Sequence, residues 1–112
     1  MKLTLKLMGK KFLGEFEELV LLSILKLGKN AYGVIIAATI EEATDKKVST
    51  GALYTTLSRL EEKGYISSHL GEPTGSSGGR AKRFFELEIA GKQALMSSQE
   101  TRRKLSADLI YM

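Results

Sequence analysis

Residues 49–64 read Ser-Thr-Gly-Ala-Leu-Tyr-Thr-Thr-Leu-Ser-Arg-Leu-Glu-Glu-Lys-Gly. Leu53, Leu57 and Leu60 recur at i, i+4 and i+7, so they share one helical face. Ser49 stands before the pattern as an N-cap and Gly64 after it as a C-terminal stop. The opposite face carries Gly51, Thr55, Ser58, Arg59 and Glu62. A short helix with an apolar back and a front of small hydroxyls plus one arginine can enter a DNA major groove without steric conflict. Taken alone it is only an amphipathic helix, and the residues after it sharpen the reading.

Residues 65–70, Tyr-Ile-Ser-Ser-His-Leu, are β-prone. Residues 71–79 hold four glycines, two serines and the only proline, a composition that neither a helix nor a central strand accepts. Residues 80–88, Arg-Ala-Lys-Arg-Phe-Phe-Glu-Leu-Glu, return to strand character. With period two, Lys82, Phe84 and Glu86 share one face, and Arg83, Phe85 and Leu87 the other. Helix, strand, glycine-rich basic tip and strand, in that order, make a winged helix. The tip would bring Arg80 and Lys82 near phosphates; the plainer reading is solvated charge that protects a sheet edge.

The chain has 112 residues, the size of one domain, and buries roughly 60–70% of its unfolded surface without needing staples. It has no cysteine, which removes disulfide and thiolate chemistry and fits a reducing, cytoplasmic setting. The net charge of +4 suits a nucleic-acid partner, although many soluble domains are as basic. No apolar run reaches the roughly 18–20 residues of a membrane span, so no membrane partner is expected. Residues 1–11 carry Lys2, Lys6, Lys10 and Lys11 with no acid among them. They read as a basic N-terminal tail, whether frayed, a short strand or an arm lying along DNA, and lack the apolar centre of a secretory signal.

Residues 12–27 form the most hydrophobic helix, with Phe16, Leu19, Val20, Ile24 and Leu27 on one stripe and Leu21, Leu22 and Leu25 widening it. A helix apolar nearly all round is buried on more than one side, either by the monomer or by a second subunit. Glu15, Glu17 and Glu18 in its first turn complement the helix dipole. Asn30 is the expected N-cap of a second helix over 31–44, bearing Tyr32, Ile35, Ile36 and Ile40. Residues 89–112 read as a fourth helix, with a stripe of Leu95, Leu105, Leu109 and Met112 that Ser98 and Arg102 interrupt. The expected fold is mainly α with a small β-hairpin: a winged helix-turn-helix of about four helices and a two-stranded wing. The expected organisation is a tail over 1–11, a winged-helix DNA-binding domain over 12–88 and a dimerisation helix over 89–112.

Several blocks together resemble the PadR family of winged-helix transcriptional regulators. They are Leu13 to Leu22 (Leu-Gly-Glu-Phe-Glu-Glu-Leu-Val-Leu-Leu), the Tyr32-Gly33 pair, Gly51-Ala52-Leu53-Tyr54 with Leu57, Arg59-Leu60-Glu61 with Gly64-Tyr65-Ile66, and Gly79 to Leu87 with Gly91. The resemblance covers roughly residues 12–95. The family often has proline where this chain has Thr50 and Thr55, and threonine where it has Glu88, a poor N-cap. The single C-terminal helix resembles the compact branch of the family. The resemblance implies a homodimer, joined through the C-terminal and first helices, that binds a palindromic double-stranded DNA operator and represses transcription. Some members are released by small hydrophobic effectors at the dimer interface, and the composition of this chain does not decide whether it is one of them.

The expected DNA-contacting residues are Ser49, Thr50, Gly51, Tyr54, Thr55, Ser58 and Arg59 on the third helix, with Gly79, Arg80 and Lys82 in the wing. Tyr54 reads equally as a core aromatic with a bonded hydroxyl. Arg59 has Glu61 and Glu62 as alternative partners. No enzyme is expected. His69 is the sole histidine and has no cysteine to build a zinc site with, and no carboxylates pair for acid–base work. Gly75-Ser76-Ser77-Gly78-Gly79 lacks the Gly-Lys-Ser/Thr ending of a phosphate-binding loop. No cofactor is implied. The competing reading is a winged-helix protein-interaction module that does not bind DNA.

Overall fold

In the computed structural model, which describes residues 12–72 and 81–111, the leucines of the segment quoted above and Thr56 are buried, while Ser49, Thr50, Thr55 and Ser58 are exposed. Helix α1 (Glu15–Leu27) leads through a 3-10 turn (Gly28–Asn30) to α2 (Gly33–Thr44) and α3 (Thr50–Glu62). Strands β1 (Ile66–Leu70) and β2 (Arg83–Leu87) follow, then α4 (Ile89–Leu105) and a 3-10 segment (Ala107–Tyr111). This is the winged helix-turn-helix expected from the pattern. The basic tail over 1–11 and the wing tip with Gly79 and Arg80 lie outside the described residues.

One core joins all the elements. It holds Val20, Leu21 and Ile24 of α1, Ile36 and Ile40 of α2, Leu53, Leu57 and Leu60 of α3, Ile66 and Phe85 of the hairpin, and Leu95 of α4. The strands are antiparallel, with Ile66 opposite Leu87, Ser68 opposite Phe85 and Leu70 opposite Arg83. Cross-strand partners share a face, and on this one Ile66, Phe85 and Leu87 pack on the core while Leu70 and Arg83 at its far end are exposed; His69 and Phe84 lie on the other face. The alternation expected for residues 82–87 is therefore what the register contains.

Two element boundaries differ from expectation. Asn30 does not cap α2; it ends the 3-10 turn, and Tyr32 occupies the N-cap position. The cause is tertiary. The Phe85 N–H donates to the Ala31 carbonyl at 2.8 Å and Tyr32 bridges to Phe84, so residues 31–32 are held extended along the hairpin and the helix cannot start earlier. The first helix begins at Glu15 rather than at residue 12, where the Gly14 N–H donates to the Glu17 carboxylate at 2.9 Å. Phe12 stands exposed ahead of it.

The C-terminal helix departs further. Regular α-helix ends at Leu105. Leu95 is buried, but Leu105 and Leu109 are 82% and 64% exposed, so the stripe expected through them is left uncovered by the described residues. Glu88 occupies the N-cap position without a side-chain bond, as its chemistry suggests. Its backbone N–H instead donates to the Tyr65 carbonyl at 2.9 Å and moors the start of α4 to the entry of β1.

Candidate functional site

Helix α3 starts where the sequence places it, with the Ser49 hydroxyl accepting from the Ala52 N–H at 3.1 Å. Ser49 therefore spends its oxygen on the cap. Gly64, at φ 78°, closes the other end in the left-handed region that glycine tolerates. Three tertiary contacts then fix how α3 lies. Lys63, at its C-cap, reaches the Glu17 carboxylate of α1 at 2.9 Å. Burial raises the Glu17 carboxyl, but hydrogen bonds from Lys63 and Gly14 and the charges of Lys63 and Arg59 outweigh it and hold the group below the ordinary glutamate value. At the turn before α3, the Val48 N–H donates to Glu41 at 2.7 Å, while Asp45 ends α2 at φ 57°.

The third contact is Tyr54. Its hydroxyl lies so close over Gly33 that a Cβ there would overlap it, while nearly half of the side chain stays in solvent. Both readings of Tyr54 are thus partly met: one end rests on the start of α2 and the rest is exposed.

Thr50, Gly51, Thr55, Ser58 and Arg59 are all exposed. None of the side-chain hydrogen bonds among described residues involves Thr50, Thr55 or Ser58. A Cβ on Gly51 would meet only the Ser49 hydroxyl, at 3.8 Å, so nothing within the fold requires glycine there. Arg59 forms no ion pair with Glu61 or Glu62; among described residues the four close ion pairs lie elsewhere.

Between α3 and the hairpin runs a cleft of about 370 Å³, lined by Tyr54, Ser58, Glu61, Ser68 and Arg83 above Leu57 and Phe85. Ser68 links its walls. Its hydroxyl donates to Glu61 of α3 at 2.8 Å and accepts from the Arg83 guanidinium at 3.0 Å. The hairpin and the Ser58 end of the hydroxyl front of α3 therefore border one surface, and Arg83, absent from the expected DNA contacts, is the cation facing it. Its signal was the alternation itself, which puts residue 83 on the face opposite residue 82.

Lys82 sits on the outer face of the hairpin, its ammonium 4.7 Å from the centre of the Tyr32 ring. Tyr32 meets Phe84 edge-on at 5.4 Å, and Phe84 stacks on His69 at 5.9 Å. The structure thus gives Lys82 a cation–π partner and does not bring it to the α3 front. Two further exposed cations, Lys46 and Lys47, precede Ser49 in the turn into α3. Two adjacent lysines just ahead of an N-cap were a legible signal that is absent from the expected DNA contacts.

A second surface lies on the other side of the core. Leu22 and Leu25 of α1 and Leu95 and Met96 of α4 line a groove of about 330 Å³, rimmed by Lys92, Gln99, Glu100 and Arg103. Leu25 is 51% and Met96 63% exposed. No helix among the described residues is long and apolar enough to cross a membrane.

A family model described as the transcriptional regulator PadR-like family matches residues 21–97. Among solved structures, a PadR-like transcription factor from Bacteroides fragilis is 24% identical, with 96% of each chain covered and a TM-score of 0.73. A PadR family transcription regulator from Clostridium difficile R20291 is 28% identical over 85% of this chain and 98% of that one, with a TM-score of 0.67. A PadR-like transcriptional regulator from Bacillus cereus is 20% identical over 86% and 88%, with a TM-score of 0.70. None of the curated proteins compared with the chain matches it.

Proposed function

The chain belongs to the PadR-like family of transcriptional regulators, and from that premise we propose that it is a homodimeric repressor that reads a palindromic operator with α3. A DNA-binding transcription regulator is what its family supplies; the remaining detail is our reading. The observation that carries it is the exposed polar front of α3 (Thr50, Gly51, Thr55 and Ser58), bonded to no described side chain, whose Ser58 lines the same cleft as Arg83. Small hydroxyl side chains on an outward helix can meet base edges in a major groove. Tyr54, Arg59 and the backbone near Ser49 flank them. Arg83, Lys46 and Lys47 join Gly79, Arg80 and Lys82 as the proposed phosphate contacts.

In this reading two copies pair through α1 and α4, covering Leu22, Leu25, Leu95 and Met96 and the exposed Leu105 and Leu109. Pairing sets two copies of α3 about one helical turn apart, roughly 34 Å. The same apolar groove is the place where a small hydrophobic effector would act. The protein works in the cytoplasm.

A salt titration on duplexes selected from a random pool tests this. Log affinity should fall with log salt at a slope near −0.9 per phosphate neutralised. Arg80→Ala or Arg83→Ala should weaken binding to all sequences alike and reduce that slope by about one. Absence of binding to any duplex at low salt would instead favour a protein-interaction module.

A further inference from the structure

Glu18 stands in the first turn of α1, yet only 4% of it is exposed. Its carboxylate accepts from three side chains of one turn of α4: the Ser98 hydroxyl at 2.6 Å, the Gln99 amide at 2.8 Å and the Arg102 Nε at 2.8 Å. A second Arg102 nitrogen lies 2.7 Å from the same oxygen. Burial pushes the carboxyl upward, but the bonds from Ser98 and Arg102, the Arg102 charge and Gln99 outweigh it and hold the group below the ordinary glutamate value. Ser98 and Arg102 are the residues that break the apolar stripe of α4, and this contact is the physical reason for the break.

The rest of the junction between these helices is mainly apolar: Leu22 packs against the core that includes Leu95, and Leu25 and Met96 line the groove beside them. Apolar packing is non-directional and tolerates sliding or rolling of one helix on another. A one-residue slip of α4 would advance it by about 1.5 Å and roll it by about 100°. A carboxylate held by three directed donors forbids such a slip, because it would leave a buried charge unpaired. Beyond the clamp, α4 continues to Leu105 with its apolar residues in solvent, as a lever outside the winged-helix body.

We propose that Glu18 is a positioning residue that fixes the rotation and register of α4 on α1, and through them the distance between the two α3 helices of the dimer. This rests on the dimer reading above. The clamp would determine the separation of operator half-sites through the placement of α4.

The test compares the full-length parent with a variant in which the clamp is made apolar, Glu18→Leu with Ser98→Ala and Arg102→Leu. Only the Glu18 side of the pair is buried, with the Arg102 side chain 56% exposed, so removing the whole clamp leaves no buried charge without a partner and the fold should survive. Both proteins are used to select duplexes from a random pool. The parent should recover two half-sites at one separation. The variant should recover the same half-site at separations spread over several base pairs, and should bind the parent's preferred duplex about tenfold more weakly, the scale of ordinary coupling energies. Retention of one separation and full affinity by the variant would overturn the proposal. Should the triple variant fail to fold, Arg102→Lys keeps the charge and relaxes the geometry: broadened spacing supports the clamp, and unchanged spacing overturns it. Lone half-sites selected by the parent would defeat the dimer reading, and with it this inference. That result is distinct from paired sites with unaltered spacing in the variant.

Discussion

Helices α3 and α4 are both amphipathic, and both place hydroxyl and guanidinium groups among their leucines, yet they use them in opposite ways. On α4, Ser98, Gln99 and Arg102 are spent inward on one buried carboxylate. On α3, Thr50, Thr55 and Ser58 bond to no described side chain and face solvent. Polar residues on a helix are therefore not one class. Those with a buried counterpart elsewhere in the chain specify geometry, and those without one remain available to a ligand. The contrast also explains why α3 stays on the body along its whole leucine back, whereas α4 docks for only part of its length.

The largest effect expected from this contrast is on the back of α3. Leu57 is 1% exposed, and Leu57→Ala should cost about 2–5 kcal/mol in denaturant unfolding. A cost below about 1 kcal/mol would mean that the leucine back is not part of the core.

Next in size is the clamp. Glu18→Ala removes charge-assisted bonds and should cost about 1.5–3 kcal/mol. Its pH dependence has a definite sign. The folded carboxyl lies below its ordinary value, so its contribution is complete above about pH 4.3 and fades as pH falls through the folded value. The gap in Tm between parent and Glu18→Ala should therefore close in acid. A gap that widened below pH 4 would show that the carboxylate is not stabilised by its partners.

The same contrast marks what could be read from the chain. The α3 helix was legible because all its signals are local: three leucines at helical spacing, Ser49 and Gly64. The hairpin was legible because its alternation has period two and its loop cannot be helical. Glu18 was not, because its donors lie 80 or more residues away, and a glutamate in a first turn already has a sufficient local explanation in the helix dipole. Asn30 failed for a related reason, since its local capping propensity lost to the backbone pairing of Ala31 and Tyr32 with the hairpin. Lys82 and Arg83 were assigned to the correct faces, but which face borders α3 depends on how the hairpin docks, and no alternation pattern contains that.

A smaller effect, opposite in sign, is expected at Gly51. It is helical, exposed and without a neighbour that a methyl group would strike, so Gly51→Ala should stabilise the fold by about 0.5–1 kcal/mol. If the glycine serves close approach to DNA, the same substitution should weaken binding. Higher Tm together with undiminished affinity would remove Gly51 from the contact surface.

The smallest change in stability is expected from Ser58→Ala and Thr55→Ala, within about 0.5 kcal/mol, because neither hydroxyl has a described partner within the protein. Their effect should appear only against DNA. Each should alter the preferred base at a limited part of the half-site and leave the salt slope unchanged, since a hydroxyl neutralises no phosphate. This pairing of outcomes separates the two helices most finely. Ser98→Ala on α4 touches the clamp and should lower stability while leaving base preference within a half-site intact, whereas Ser58→Ala should do the reverse. If Ser58→Ala instead lowered Tm and left every preferred base unchanged, the front of α3 would be structural, and the hydroxyls of the two helices would belong to one class after all.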